Sequence, residues 1–314
     1  FIRRNPFFSN LKHGLVPERA VGFCTIMDYF GMCLTGRKKP VVHVSNAAGF
    51  GFFDGRNMKF ETEKLSKMGV KETWLPEVCT GIEKLGLYRN RQVTTAIGDN
   101  QASFLGAAGK EENTLLVNMG TGGQISILSD QYFAEKGIEA RPFLDGKYLL
   151  VGSSLCGGKS YALLEQFFRR VVKAVTGEDS SLYPVMEQFA KTGKEQSNRI
   201  SEDRKLKIRT TFDGTRTDPK SSGSIQGLTS DNFTPEAFTY GILEGMGDEL
   251  YQMYRTIKNG TGIQIKNLIG SGNGVRKNPV FCEMLEELFQ NKLVLSAYKE
   301  EAAAGAAISS TLCS

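Results

Sequence analysis

Only two histidines, His13 and His43, occur in the 314 residues, and the six cysteines (Cys24, Cys33, Cys79, Cys156, Cys282 and Cys313) show no CxxC or CxxxC spacing. These shortages weigh against a zinc centre and against a Cys–His nucleophile, so no metal-ligating set is expected. Cysteines without a disulfide framework fit a reducing compartment, and a cytoplasmic location is expected. No apolar run approaches the roughly 18 residues of a membrane helix and no signal peptide precedes the first residues, so no membrane partner is expected. An excess of one charge is missing too. Lys and Arg number 39 against 34 acids, a net charge of +5, and acids interrupt the densest basic stretch, KEQSNRISEDRKLKIR (194–209). That stretch reads as a solvated face, and no nucleic-acid partner is expected. Also absent is an initiator Met. The chain opens on FIRRNPFFSN, with no recognisable first element, and reads as a piece of a longer protein.

What is present is an α/β alternation. With 40% hydrophobic residues, the chain can bury a large core and divide into two lobes. Apolar residues at helical spacing mark AVGFCTIMDYFGMCLTG (20–36), ALLEQFFRRVVKAV and AFTYGILEGMGDELYQMYRTI, the last with Thr234 as N-cap and Pro235 at the first helical position. KYLLVGSSL and IKNLIGSGNG are short apolar runs that end in Gly and Ser. The polar, turn-rich segment 176–222 reads as connecting structure rather than core.

In NTLLVNMGTGGQISILS (113–129), Leu115, Val117 and Met119 alternate before GTGG, and Ile125 and Ile127 alternate after it. The pattern predicts a hairpin of half-buried strands. Glycines let backbone N–H groups approach an anion and Thr121 adds a hydroxyl donor, which suits nucleotide phosphates. An ordinary glycine-containing hairpin would look the same. Two further turns, GSSLCGG and GSGNG, each follow an apolar strand and precede a helix, a recurrent setting for nucleotide phosphate. No GxxxxGK[ST] loop accompanies them. Just upstream, Asp99 stands alone in AIGDNQASFLGAAG. A carboxylate there would suit proton removal from an attacking hydroxyl, with Asn100 and Gln101 as neutral partners for a polyhydroxylated substrate. Taken alone, Asp99 also fits a turn-former. Trp74 could stack on such a substrate but reads first as packing, and His43 with Asn46 could face it but reads first as a polar pair at a strand end.

In order, AIGDNQASFLGAAG, NMGTGGQIS, LLVGSSLCGGKSYALLE, FDGTRTDP with GSIQGLT, and GSGNGVRKNP with EEAAAGAAI resemble the FGGY family of carbohydrate kinases, and most nearly its sedoheptulokinase branch. The resemblance covers nearly the whole chain. It implies an α/β, actin-like ATPase (ribonuclease H-like) two-lobe fold. Residues 1–109 would be the remainder of the sugar-binding lobe, and 110–314 the nucleotide-binding lobe. The family's first-lobe hairpin, whose Asp handles magnesium-bound phosphate, has no counterpart here. About 100 to 150 residues, the scale of a domain, are expected to be missing, and the chain alone is expected to be inactive.

By position, the resemblance makes Asp99 the catalytic base and places Asn100 against the sugar. Gly120, Thr121 and Gly122 would hold phosphate, Gly158 would contact nucleotide, and Gly270, Gly272, Gly274 and Asn278 would form the adenosine-binding turn. EEAAAGAAI would be the small-residue helix beside that turn. ATP and Mg2+ are implied as cofactors. The expected reaction moves the γ-phosphoryl of ATP to a primary hydroxyl of a ketose, sedoheptulose first, with xylulose, gluconate or glycerol as alternatives. A non-catalytic nucleotide- or sugar-binding protein of the same fold is the rival of another class, and homodimerisation is left open.

Overall fold

A computed structural model describes residues 6–20 and 22–313, so part of the opening FIRRNPFFSN lies outside the described residues. The predicted hairpin is the centre of the molecule. Strands β3 (Thr114–Met119) and β4 (Gly123–Ser129) pair antiparallel, with Leu115 opposite Ile127 and Met119 opposite Gly123. They are not half-buried as the alternation suggested. Leu115, Val117, Ile125 and Ile127 meet one core, while Leu116 and Leu128 meet a second on the other face. A strand covered on both faces reads as a nearly continuous apolar run, and LLV is such a run.

Around this hairpin, β5 (Ile138–Pro142), β6 (Tyr148–Ser154), β8 (Asn267–Ser271) and β9 (Leu293–Leu295) complete a six-stranded sheet in the order β9-β8-β3-β4-β6-β5. Strands β3, β8 and β9 are mutually parallel, and β4 lies antiparallel to both β3 and β6. Strands β3, β6 and β8 therefore point the same way, and their carboxyl ends lie along one edge of the sheet.

One face is covered by helix α5 (Pro235–Thr261), which the Thr234 hydroxyl caps by accepting from Ala237 N–H at 3.2 Å. The other face is covered by α2 (Asp99–Ala108), whose Phe104 and Leu105 are fully buried. Segment 176–222 proves not to be mere connection. Helix α4 (Tyr183–Ser197), with Pro184 in its first turn, buries Met186 and Ala190, and β7 (Lys207–Arg209) buries Ile208. The basic stretch 194–209 is accordingly only partly solvated. Leu206 and Ile208 enter the core, and Lys194 bridges Glu283 and Glu287.

The preceding residues are built in smaller patches. Helix α1 is Ile26–Thr35, shorter than the periodicity implied. It starts after Thr25, whose hydroxyl and N–H form a capping box with Asp28. Strands β1 (Val41–His43) and β2 (Glu77–Cys79) pair parallel. Named contacts join this part to the sheet. Tyr148 Oη donates to the Arg56 carbonyl at 3.1 Å, and Asp145 N–H donates to the Thr80 carbonyl at 3.2 Å.

Candidate functional site

Asp99 opens α2 with its side chain exposed. Its Oδ1 accepts from Asn100 N–H at 2.7 Å, and its Oδ2 has no partner among the described residues. The segment leading to it is braced from below. Gly98 N–H donates to Ser45 Oγ at 2.9 Å, Ser45 Oγ meets His43 Nδ1 at 2.7 Å, and His43 Nε2 meets the Thr80 carbonyl at 3.1 Å. A carbonyl can only accept, so the ring proton sits on Nε2, and Nδ1 accepts the Ser45 hydroxyl proton. Burial keeps this imidazole neutral, with its pKa lowered to about 4. Asn46 Nδ2 adds a bond to the Ala96 carbonyl at 3.0 Å. His43 and Asn46 thus position the backbone before Asp99.

The two neutral residues after Asp99 part company. Asn100 is half-buried, and its Oδ1 accepts from Arg141 Nη1 at 3.0 Å. Gln101 is 5% exposed and donates from Nε2 to the Pro142 carbonyl at 2.9 Å, so its amide ties α2 to β5 and faces the interior. Trp74 packs in the first part's apolar cluster, with Lys71 over its ring.

The three glycine turns meet at the carboxyl ends of β3, β6 and β8, the edge where open α/β sheets bind ligands. Helix α3 (Gly157–Thr176) follows β6 directly. Its Gly158 N–H donates to the Gly120 carbonyl at 3.1 Å, and its Lys159 N–H donates to the Thr121 carbonyl at 3.0 Å. A Cβ on Gly158 would lie 2.3 Å from the Gly120 oxygen, so only glycine permits this approach. The amides expected to face a phosphate are therefore occupied by the hairpin itself, which they hold rigid. Gly272, at φ 82°, brings the third turn against Met119, and a Cβ there would lie 2.5 Å from the Met119 oxygen. Gly274 also lies against Met119, whereas Gly270 packs on Val275 and Leu293. Asn278 caps helix α6 (Pro279–Phe289), its Oδ1 accepting from Phe281 N–H at 3.0 Å. Gly120 and Thr121 remain exposed at the tip.

Helix α7 (Glu301–Thr311), the EEAAAGAAI segment, packs on α2, the helix that carries Asp99. A Cβ on Gly305 would lie 1.8 Å from the Ala102 oxygen, and one on Gly106 would lie 2.1 Å from the Glu301 oxygen. From α7, Glu301 reaches both Ser271 Oγ at 2.8 Å and Arg276 Nη2 at 2.9 Å. The catalytic candidate and the third glycine turn are thus fixed to one helix. A groove of about 650 Å³ between α5 and β7 is lined by Glu244, Asp248, Arg209 and Arg216, and by none of the predicted site residues. Among the described residues no three His, Cys, Asp or Glu side chains gather as a metal site.

The sheet edge thus carries three tightly packed glycine turns, and the helix that covers one face of the sheet carries an exposed carboxylate. Residues 115–311 match the model of the FGGY family of carbohydrate kinases, C-terminal domain, and the chain belongs to that family. It is 25% identical over 287 residues to sedoheptulokinase of Mus musculus, covering 84% of this chain and 57% of that protein. It is 25% identical over 302 residues to glycerol kinase 1 of Lactiplantibacillus plantarum, covering 91% of this chain and 56% of that protein. The xylulose kinase from Rhodospirillum rubrum superposes with a TM-score of 0.78 at 19% identity, covering 97% of this chain and 62% of that one. Plasmodium falciparum glycerol kinase, solved with ADP, gives a TM-score of 0.74 at 19% identity, covering 98% and 60%. The actin-like ATPase fold expected from the sequence is the fold of these neighbours. The chain spans well under two thirds of the length of the curated relatives it matches.

Proposed function

We propose that this chain supplies the base and the nucleotide cradle of an ATP-dependent kinase that phosphorylates a primary hydroxyl of a ketose, with sedoheptulose as the first candidate. The observation that carries the reading is Asp99, an exposed carboxylate at the start of α2 whose Oδ2 has no partner among the described residues, in a member of a carbohydrate kinase family. In this reading Asp99 takes the hydroxyl proton while the oxygen attacks the γ-phosphorus, an O–P bond forms, and the bond to the β-phosphate oxygen breaks. Gly120, Thr121 and Gly122 receive the phosphates, and the turn from Gly270 to Asn278 lies beside the adenosine. Asn100 contacts the sugar, whereas Gln101 serves the fold. The division falls at Gly109, and cysteines without a disulfide-framework spacing support a reducing, cytoplasmic setting. Sedoheptulose is favoured by the likeness to the mouse and human sedoheptulokinases.

The test is sugar-dependent ADP release by the natural polypeptide at its full extent, across sedoheptulose, xylulose, gluconate and glycerol. Asp99→Asn is expected to lower kcat by about 10²-fold or more, the scale of a lost general base, while ATP binding holds. Unchanged turnover would remove Asp99 from the mechanism. A clear preference for xylulose or glycerol would keep the kinase and discard sedoheptulose.

A further inference from the structure

We propose that Arg141 is a positioning residue that orients the amide of Asn100, so that Asn100 turns its Nδ2 donor to the sugar. This rests on the reading of Asn100 as a sugar contact. Arg141 lies one residue from the end of β5, where its Nε and Nη2 donate to Glu139 Oε2 at 2.9 and 2.7 Å. Its Nη1 is left to reach Asn100 Oδ1 at 3.0 Å. A guanidinium carries only donors, so the amide beside it must present oxygen. Nδ2 is then turned away, and it has no partner among the described residues. The only substrate atoms that can satisfy it are hydroxyl or carbonyl oxygens.

The guanidinium is itself clamped. Glu139 accepts from Arg141 on one oxygen and from Arg216 Nη1 on the other at 3.0 Å. Burial pushes the Glu139 carboxyl up, but the two guanidiniums outweigh it and hold the pKa below the usual range. Arg216 belongs to the loop that carries Asp213, which pairs with Lys159 Nζ at 2.6 Å, and Lys159 N–H holds the Thr121 carbonyl. One polar chain therefore runs from the amide next to Asp99 to the tip of the phosphate hairpin. Exposed ion pairs contribute little stability; here the effect to measure is orientation.

In the natural polypeptide at its full extent, Arg141→Met should raise the KM for the sugar about tenfold, the scale of one hydrogen bond to a charged group, and leave the KM for ATP within about twofold. Arg141→Lys, which can reach Glu139 or Asn100 but not both, should fall between. Combined with Asn100→Ala, Arg141→Met should add almost nothing, because it acts through Asn100. With Asn-selective 15N labelling, the Asn100 side-chain signal should shift or broaden in Arg141→Met without any sugar present. Additive kinetic effects, or an Asn100 signal identical to that of the parent, would overturn the proposal. A parent inactive on every sugar would reject the kinase reading, and the Asn100 signal would then decide the positioning role alone.

Discussion

The residues up to Gly109 and those after it are folded by different means. After Gly109 one six-stranded sheet carries two continuous apolar faces. Before it, the described strands pair only in twos, and α1 leaves Ile26 and Phe30 at 76% and 63% exposure. In the first part, small apolar clusters such as that of Val42, Phe60 and Leu65 are supplemented by polar contacts such as His43–Ser45–Gly98 and by joints to the sheet. The sheet presents the three glycine turns, while Asp99 is presented by α2, a helix packed between the sheet and α7. Titratable groups in both parts are shifted toward their uncharged forms, and at His43 and Glu244 the shifts run in opposite directions. Burial lowers His43 to about 4 and raises Glu244 to about 7. The two parts should therefore weaken at opposite ends of the pH scale.

The sharpest way to break the comparison is to cut the joint. Gly305→Val puts a branched side chain where even a Cβ would lie 1.8 Å from the Ala102 oxygen. Helices α2 and α7 must then separate, at a cost above about 3 kcal/mol, beyond ordinary overpacking. Urea unfolding within 1 kcal/mol of the parent would show that the two parts do not depend on this contact. The same variant should disturb Asp99 and the third glycine turn together, since α7 holds both.

Much of this arrangement was legible in the sequence. GTGG between alternating apolar residues fixes the β3–β4 pairing, because strand side chains alternate with period two. Three strand–glycine turns in one chain mark one sheet edge. Three features were hidden for physical reasons. Burial of β3 and β4 on both faces depends on α2 and α5, which local periodicity does not report. Helix α4 shows only a narrow apolar stripe among Lys, Gln, Thr and Gly, and its one clear signal was Pro184 in the first turn. Arg141 meets Asn100 across 41 residues of sequence, with no spacing that announces the pair. The sequence suggests that the glycines of the turns make room for phosphate, yet several give room to other backbone. Gly158 and Gly272 stand against Gly120 and Met119.

A smaller effect separates the two parts by pH. His43 has a folded pKa below its unfolded value of 6.5. Its contribution is fully present above pH 6.5 and is lost as pH falls towards 4, about 3 kcal/mol over the window. Asp28, buried and raised above 3.8, acts with the opposite sign from lower pH. The readout is the urea midpoint between pH 7 and 4.5 for the parent and for His43→Gln. The parent should lose more stability than the variant as pH falls. Parallel slopes would mean that His43 titrates freely.

The smallest effect belongs to the second part. Glu244 lies on α5, partly buried, and it forms no hydrogen bond or ion pair among the described residues. Desolvation is the main cause of its raised pKa, and the attraction of Lys205 offsets it only in part. Asp248, one turn along the same helix, adds like-charge repulsion, so the neutral form of Glu244 is favoured further. Because the folded pKa of about 7 exceeds the ordinary value of 4.5, its stabilising contribution is complete below pH 4.5 and is lost as pH rises through 7. Glu244→Gln keeps the shape and cannot ionise. It should be close to the parent at pH 4.5 and more stable by about 1–2 kcal/mol at pH 8, a figure reduced for the group's partial exposure. A variant that is no more stable than the parent at pH 8 would show that Glu244 is ionised at little cost. The pH contrast between the two parts would then rest on His43 alone.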